Sequence, residues 1–283
     1  MTTQRSRSTV LASAAAPGGP ASRPGDRPAG WRSERRIGRA RVGMGAPLVL
    51  ALVAILFVLA ASPALAAIRT VNCGAGDDLQ AAITAASAGD TLRVRGTCTG
   101  HFSVSTSLTL KGVGVAPTLD GGGTLGTTLT IAVGVTVVVE RLTITGGDGF
   151  DGGGINNLGI LTLKGSKVSG NAAGNRGGGI NNLGTLTLKE SAVSGNRAVD
   201  GSGGGILNLG TATLKESAVS GNTARFYGGG ILNAGTATLK ESAVSGNTAG
   251  GTGGGIFNDG GIVTLEESTV SGNTLPNCVG LVC

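Results

Sequence analysis

Hydrophobic and polar residues alternate with a period of two in short stretches that recur through the carboxyl-terminal half of the chain. A stretch such as Thr185-Leu186-Thr187-Leu188 is typical of a half-buried β-strand. The motif GGGI occurs five times, and V-S-G-N ends each repeat. The GGGI isoleucines are spaced by 25, 26, 25 and 25 residues, at Ile155, Ile180, Ile206, Ile231 and Ile256. Three strand-sized pieces separated by turns therefore make up each repeat.

The repeat length and residue types select one architecture. Three consecutive glycines destabilise a helix, whereas Val, Ile and Thr favour strands, so helical repeats are excluded. Propeller blades need about 40 residues, which excludes them as well. We predict an all-β parallel β-helix with three short strands in each coil of 25–26 residues. Identical residues would then stack into inward columns, the Ile series above, Leu163, Leu188, Leu214, Leu239 and Leu265, and Val168, Val193, Val219, Val244 and Val270.

Polar residues are predicted to stack in the same way. Asparagine at a turn can adopt a positive φ and bond a neighbouring amide, so two asparagine columns would satisfy backbone groups of the turns. The predicted ladders are Asn157, Asn182, Asn208, Asn233 and Asn258, and Asn171, Asn196, Asn222, Asn247 and Asn273. A threonine column is predicted to point outward and to form a candidate binding face, with members Thr162, Thr187, Thr213, Thr238 and Thr264.

The segments around the repeats define the remaining organisation. A helix is predicted over about 77–88, with Asp77 as N-cap and Gln80 three residues later. This helix would cover the open end of the β-helix. The predicted parts are an N-terminal cap over 67–106, irregular coils over 107–151, five regular repeats over 152–275 and a disulfide loop over 276–283.

The amino-terminal segment carries the positive charge of the chain. Residues 1–45 are rich in Arg and Pro and are predicted to be disordered, and residues 46–66 form an apolar stretch with a small-residue cleavage site between Ala66 and Ala67. The alternative is an uncleaved membrane anchor. Residues 1–66 hold nine Arg and two acids, a net of +7, which leaves a net of −1 out of the total of +6. Export is therefore predicted, and a nucleic-acid partner is not.

Cysteine usage agrees with an exported protein. The four cysteines lie in two pairs at the two ends of the chain after the cleavage site. Three connectivities are open, and the end-to-end separation of a long fold favours Cys73 with Cys98 and Cys278 with Cys283. A zinc site is the weaker alternative, because neither pair has C-x-x-C spacing.

The pattern GGGI-x-N, L-T-L and V-S-G-N, after a D-x-L-Q-A-A-I helix, resembles right-handed parallel β-helix proteins of the pectin-lyase-like superfamily. It is also similar to the repeats of polymorphic outer-membrane proteins. The resemblance covers about residues 70–277 and implies a secreted or cell-surface location. For function it implies several classes, since the same scaffold carries lyases, hydrolases, adhesins and passive surface proteins.

Few residues outside the repeated positions are candidates for catalysis or metal binding. The lone histidine, His101, is interpreted as solvated or as a turn cap, because no paired aspartates lie near it in sequence. Asp148 and Asp151 lie in a single glycine–aspartate motif that matches the repeat of calcium-binding β-rolls, so a calcium site is the alternative to a glycine-rich turn there. Stacked lysines and glutamates at one turn are interpreted as a solvated strip.

The leading hypothesis is a secreted or cell-surface, non-catalytic β-helix with a structural, adhesive or carbohydrate-binding role. Extracellular glycans or other surface components would be its partners, and a membrane would be contacted only through an uncleaved N-terminal segment. One alternative is a polysaccharide lyase or glycoside hydrolase. Another is an ice-binding solenoid, because the T-x-T ranks resemble those of ice-binding β-solenoids.

Overall fold

A computed structural model describes residues 65–274 and 276–283 of the chain. The predicted disordered region over 1–45 lies outside the described residues, as do Leu275 and the apolar stretch before Leu65. The described chain is an all-β, right-handed parallel β-solenoid of about eight coils, which confirms the predicted fold class.

Four parallel sheets run along the solenoid, and each coil contributes one strand to each sheet that it reaches. Sheet 1 contains Ile68–Asn72, Thr91–Arg95, Leu108–Gly112, Thr136–Glu140, Ile160–Lys164, Thr185–Lys189, Thr211–Lys215, Thr236–Lys240 and Ile262–Glu266. Sheet 2 contains Thr97–Thr99, Thr118–Asp120, Thr143–Thr145, Lys167–Ser169, Ala192–Ser194, Ala218–Ser220, Ala243–Ser245 and Thr269–Ser271. Sheet 3 contains Phe102–Val104, Leu129–Ile131, Ile155–Asn157, Ile180–Asn182, Ile206–Asn208, Ile231–Asn233, Ile256–Asn258 and Cys278–Val279. Sheet 4 contains Asp148–Asp151, Ala172–Arg176, Arg197–Ala198, Thr223–Ala224 and Thr248–Ala249.

The three predicted core columns are present in register. The isoleucines of the GGGI motif pair directly along sheet 3. The leucine column pairs along sheet 1, and the valine column pairs along sheet 2. All are buried except Leu265 and Val270 in the last coil, which are half-buried because no further coil covers them. Small aliphatic side chains fill this narrow interior, so aromatic bulk is unnecessary.

Sheet 4 is an addition to the three predicted strands of each coil. Its last three strands are only two residues long, and their single buried side chains are Ala198, Ala224 and Ala249. Such short pieces carry no alternation that a sequence pattern could reveal. They close the gap between the V-S-G-N turn and the glycines that open the next coil.

The N-terminal helix is shorter than predicted. It spans Leu79–Thr84 rather than 77–88, and it buries Leu79 and Ile83. The predicted N-cap, Asp77, is wrong: the side chain of Asp78 accepts the hydrogen bond from the amide of Ala81. Asp77 instead accepts from the amide of Asn72, so the two adjacent carboxylates hold different segments.

Left-handed backbone conformations do not fall where the asparagine prediction placed them. Among the described residues, no asparagine has a positive φ, and the glycine before the V-S-G-N asparagine adopts it instead, as at Gly195. A column of glutamates also has φ between 48° and 50°, at the turn from sheet 1 to sheet 2: Glu190, Glu216, Glu241 and Glu267. Gly165 takes this position in the first regular repeat, with φ of 53°.

We expect Glu190→Gly to stabilise the protein slightly. The left-handed conformation costs a residue with a Cβ about 1–2 kcal/mol, and the greater freedom of glycine in the unfolded chain offsets about 0.5–1 kcal/mol of the gain. A net increase of about 0.5 kcal/mol in the free energy of unfolding should result, measured by urea denaturation. Glu190→Ala is the matched control and should give no such gain, because it removes the charge and keeps the strain.

Candidate functional site

The outer face of sheet 1 presents the predicted threonine column. Thr162, Thr187, Thr213, Thr238 and Thr264 pair directly from coil to coil. Adjacent coils in such a sheet are about 4.8 Å apart. The threonines are half-buried except Thr264, which is exposed. These threonines therefore lie at regular intervals along one face of sheet 1.

The threonine column extends beyond the five regular repeats from which it was predicted. Register pairs carry it through Val138 to Thr109 and Thr91 in the irregular coils. Sequence reasoning missed both threonines, because the irregular coils have different lengths from the repeats. The L-T-L-K echo at residues 108–111 was the available signal for Thr109.

A second outward column lies two residues earlier on the same strands. Thr185, Thr211 and Thr236 form its exposed centre, with Ile160 and Ile262 at the two ends. Residues two apart on a strand are about 6.6 Å apart. The central three coils therefore present a two-dimensional grid of hydroxyl and methyl groups.

A charged column lies on the other side of the threonines. Its members in register are Arg93, Lys111, Glu140, Lys164, Lys189, Lys215, Lys240 and Glu266. Ion pairs within it join Lys111 to Glu140 at 3.1 Å, Lys164 to Glu140 at 3.5 Å and Lys240 to Glu266 at 2.7 Å. The hydrogen bond from Lys111 is the main cause that holds the pKa of Glu140 below its ordinary value.

The turn glutamates offset part of this positive charge. Lys215 pairs with Glu216 at 3.1 Å, and that hydrogen bond raises the pKa of Lys215. These side chains are about half exposed. Solvent and salt screen such pairs, so they add little to stability and mainly set the potential of the surface.

The N-terminal end of the face is more basic than the rest. A shallow depression there is lined by Ile68, Thr91, Arg93, Thr109, Lys111 and Glu140. Two neighbouring depressions add Arg95 and Arg141. Four cationic side chains and one carboxylate, that of Glu140, therefore line the three depressions at this end.

Both predicted asparagine ladders are buried hydrogen-bond chains. In the first, Asn182 Nδ2 donates to Asn208 Oδ1 at 2.7 Å and to the carbonyl of Thr211 at 3.1 Å. In the second, Asn196 donates to Asn222 Oδ1 from both its amide, at 3.0 Å, and its Nδ2, at 2.9 Å. Each side chain therefore satisfies turn backbone groups and ties consecutive coils together.

A serine ladder escaped the sequence analysis. The amide of each serine donates to the hydroxyl of the serine one coil on, as from Ser191 to Ser217 at 3.1 Å. The ladder comprises Ser166, Ser191, Ser217, Ser242 and Ser268. The constant serine two residues before the valine of V-S-G-N was a usable signal for it. Together the ladders leave little unsatisfied polarity in the described coils, where Asn181 Oδ1 is the one buried side-chain oxygen without a partner.

The candidate calcium ligands are placed but not clustered. Asp148 and Asp151 lie in the first strand of sheet 4, and Asp151 pairs with Arg176 at 3.9 Å. Within residues 65–274 and 276–283, no group of three His, Cys, Asp or Glu side chains is arranged to hold a metal ion. His101 contacts the carbonyl of Thr127 at 3.1 Å and the hydroxyl of Thr124 at 3.0 Å. Calcium binding stays a prediction.

Both predicted disulfides are present. Cys73 is bonded to Cys98, with Cα atoms 5.1 Å apart, and Cys278 is bonded to Cys283, with Cα atoms 6.3 Å apart. Disulfides form and persist in oxidising environments, which indicates an extracellular setting. No helix within the described part of the chain is long and apolar enough to cross a membrane. Ala66 and Ala67 are exposed, and cleavage between them stays a prediction.

Comparisons with known proteins add no relative. No protein-family model matches the chain, and neither a curated protein nor a solved structure matches it. The class defined here is therefore the parallel β-solenoid itself.

Proposed function

We propose that this protein is an extracellular, non-catalytic β-solenoid that binds acidic polysaccharide along the outer face of sheet 1. The observation that carries the proposal is the continuous sheet of nine strands, on which a column of threonines, interrupted at Val138, lies beside a column rich in lysine. A polymer with repeated hydroxyl and carboxylate groups offers matching contacts at many points of such a face.

Repetition makes weak contacts sufficient. One surface hydrogen bond adds about 0.5–1.5 kcal/mol, but contacts made by one chain add together, since later contacts are intramolecular. The cluster of Arg93, Arg95, Lys111 and Arg141 would give the acidic chain a preferred end. Binding should therefore weaken as salt concentration rises.

We expect the double variant Thr187→Val, Thr213→Val to bind pectate roughly tenfold more weakly, since two hydrogen bonds together contribute about 1–3 kcal/mol. Valine suits the strand and removes only the hydroxyl. The matched control is Thr223→Val, Thr248→Val, which changes two exposed strand threonines of sheet 4. Affinity electrophoresis in pectate and alginate measures the effect, and equal loss in both double variants contradicts the proposed face.

The enzymatic alternative has its own assay. Support for it comes from the resemblance to pectin-lyase-like proteins and from the convergence of Lys111, Glu140 and Lys164 on sheet 1. The purified protein is incubated with pectate, pectin and alginate. We expect no unsaturated or reducing ends to be released, and reproducible release that Glu140→Gln abolishes establishes the lyase or hydrolase instead.

Ice binding is the second candidate, because the two threonine columns form a grid rather than a single row. Thermal hysteresis and inhibition of ice recrystallisation measure it. Activity that falls in Thr187→Val, Thr213→Val and persists in the sheet 4 control supports ice as the ligand. The absence of both effects removes this candidate.

A further inference from the structure

The repeats vary most in one segment of the coil. Between the V-S-G-N asparagine and the three glycines, the regular coils carry different residues, as in Arg197–Ser202, Thr223–Tyr227 and Thr248–Thr252. The single extra residue of the 26-residue repeat also falls here. Variation concentrated on one side of a solenoid is typical of its binding side, since the other positions are more constrained by stacking.

Three aromatic rings lie together at this variable segment. Tyr227 stacks on Phe257 of the next coil with ring centroids 4.8 Å apart and 24° between the ring planes. Phe226 lies beside Tyr227 at 6.4 Å. Phe226 and Tyr227 are each 44% exposed. The core contains almost no aromatic side chains, so these three rings are not part of the packing of the core.

Charged side chains lie at the edge of the aromatic cluster, and a glycine lies beside it. The Arg225 guanidinium lies 5.4 Å from the centroid of the Phe226 ring and also pairs with Asp200 of the preceding coil. Next to Tyr227 lies Gly251, where an added Cβ would come within 3.1 Å of the Tyr227 ring. Glycine therefore lets the ring lie against the next coil and leaves the surface beside it open.

We propose that Phe226, Tyr227 and Phe257 form a platform for a neutral glycan whose sugar rings carry equatorial hydroxyls, such as a β-1,4-glucan. Such a ring exposes axial C–H groups on its faces, which pack on aromatic surfaces, and directs hydroxyls outward to Arg225 and Asp200. Those two side chains offer donors and acceptors respectively. An apolar peptide would desolvate this ion pair without replacing its hydrogen bonds. The Arg225–Asp200 pair has no net charge, so it gives no preference for an anionic ligand.

This platform is separate from the face of sheet 1 and does not rest on the function proposed for it. Phe150 supplies a matched control: it is a phenylalanine of the same variable segment, 76% exposed, three coils away. Three coils correspond to about 14 Å, too far for one sugar ring to contact both positions.

The test uses the lone tyrosine of the chain. Protein labelled at tyrosine is titrated with cellohexaose and the ring resonances of Tyr227 are followed by NMR, while isothermal titration calorimetry measures the affinity of the unaltered protein and of each variant. We expect saturable shifts, at least a tenfold loss of affinity in Tyr227→Ala and Phe226→Ala, and retained affinity in Tyr227→Phe and Phe150→Ala. Pectate binding should be unchanged in all four variants, which separates this platform from the sheet 1 face.

Two results overturn the platform. One is the absence of saturable Tyr227 shifts with cellohexaose in protein whose circular dichroism shows it folded. The other is concentration-dependent self-association that Tyr227→Ala abolishes, which assigns the rings to contact between two copies of the chain.

A second, independent observation concerns Ala67 and Asp90. The amide nitrogen of Ala67 donates to Asp90 Oδ1 at 2.7 Å, and Ser87 donates to Asp90 Oδ2 at 2.9 Å. The Asp90 residue is only 4% exposed, whereas Leu65, just before the predicted cleavage site, is 93% exposed. Arg69 is the other charged side chain that acts on Asp90 among the described residues.

We infer that cleavage after Ala66 places the new α-ammonium of Ala67 on the Asp90 carboxylate, so that processing converts an amide–carboxylate hydrogen bond into an ion pair. This inference rests on the predicted export. Mass spectrometry of the exported protein should show Ala67 as its first residue. The pKa of its α-amine should exceed the ordinary value of about 7.7–8.0 by at least one pH unit, because an adjacent carboxylate favours the charged form.

Asp90→Asn should return that amine to its ordinary pKa, whereas Asp77→Asn, which removes a carboxylate bonded to a different amide, should leave it raised. Both values come from the pH dependence of α-amine labelling. A different first residue, or an ordinary amine pKa in the unaltered protein, overturns the inference.

Discussion

Gly204→Ala is expected to destabilise the protein by about 3 kcal/mol, the upper end of the range for overpacking, because the contacts are to rigid backbone. Gly204 is the middle glycine of a GGGI motif and is buried. A Cβ at this position would lie 2.5 Å from the carbonyl oxygen of Gly229 and 2.5 Å from the carbonyl carbon of Thr223. Both contacts are to backbone, so no side-chain rotation relieves them.

The matched control is Gly195→Ala. Gly195 has φ of 63°, but a Cβ there would meet no heavy atom within 4 Å. The expected loss is about 0.5–1 kcal/mol, because the cost of the left-handed conformation is partly offset by the greater freedom of glycine in the unfolded chain. Urea denaturation followed by circular dichroism compares the two variants. Equal losses would show that backbone conformation, rather than close contact between coils, makes the GGG glycines necessary.

Asn222→Ala is expected to cost about 3–6 kcal/mol, because two or three buried groups lose their partners at about 1–3 kcal/mol each. The Asn222 carboxamide is fully buried and accepts from both the amide and the side chain of Asn196. It also donates to the carbonyl of Val193 at 2.9 Å. Alanine fills none of these roles and leaves too little room for several waters.

Thr223→Ala is the control for this variant, since Thr223 is the next residue and is exposed. A surface change of this kind falls within about 0.5 kcal/mol. Denaturation midpoints measure both variants, and amide hydrogen exchange locates the loss. Exchange should accelerate in the coils on either side of Asn222, and unaltered protection there would contradict a structural role for the ladder.

The sequence predicted those features that repeat with the coil. Ile180, Leu188 and Val193 were assigned to the core because stacking at a fixed period turns equal spacing into direct contact. The same logic found both asparagine ladders. The predicted positive φ of the asparagines was wrong. In the V-S-G-N turn the glycine before each asparagine adopts the positive φ, so the asparagine does not need it.

Features set by single coils were not predictable in this way. The stack of Tyr227 on Phe257 joins residues thirty positions apart whose contact depends on how one variable segment folds over the next coil. The left-handed Glu190 contradicts the intrinsic preference of glutamate, and Gly165 at the equivalent position was the only local clue. Aspartate is a good N-cap residue, so residue type does not distinguish Asp77 from Asp78. The backbone conformation after Cys73 determines that Asp78 is the N-cap.

Because equivalent residues of neighbouring coils pair in register, the protein can lose or gain one whole repeat and keep the same pairing. Residues 206–230 make up one whole coil, and their removal would join Gly205 to Ile231, which restores the same GGGI junction. Every column would lose one member and keep its register, since each coil bonds only to the coils before and after it. Duplication would act in the opposite direction by the same rule. The solenoid can therefore become shorter or longer by whole coils, about 4.8 Å each, without any change in how its interior packs.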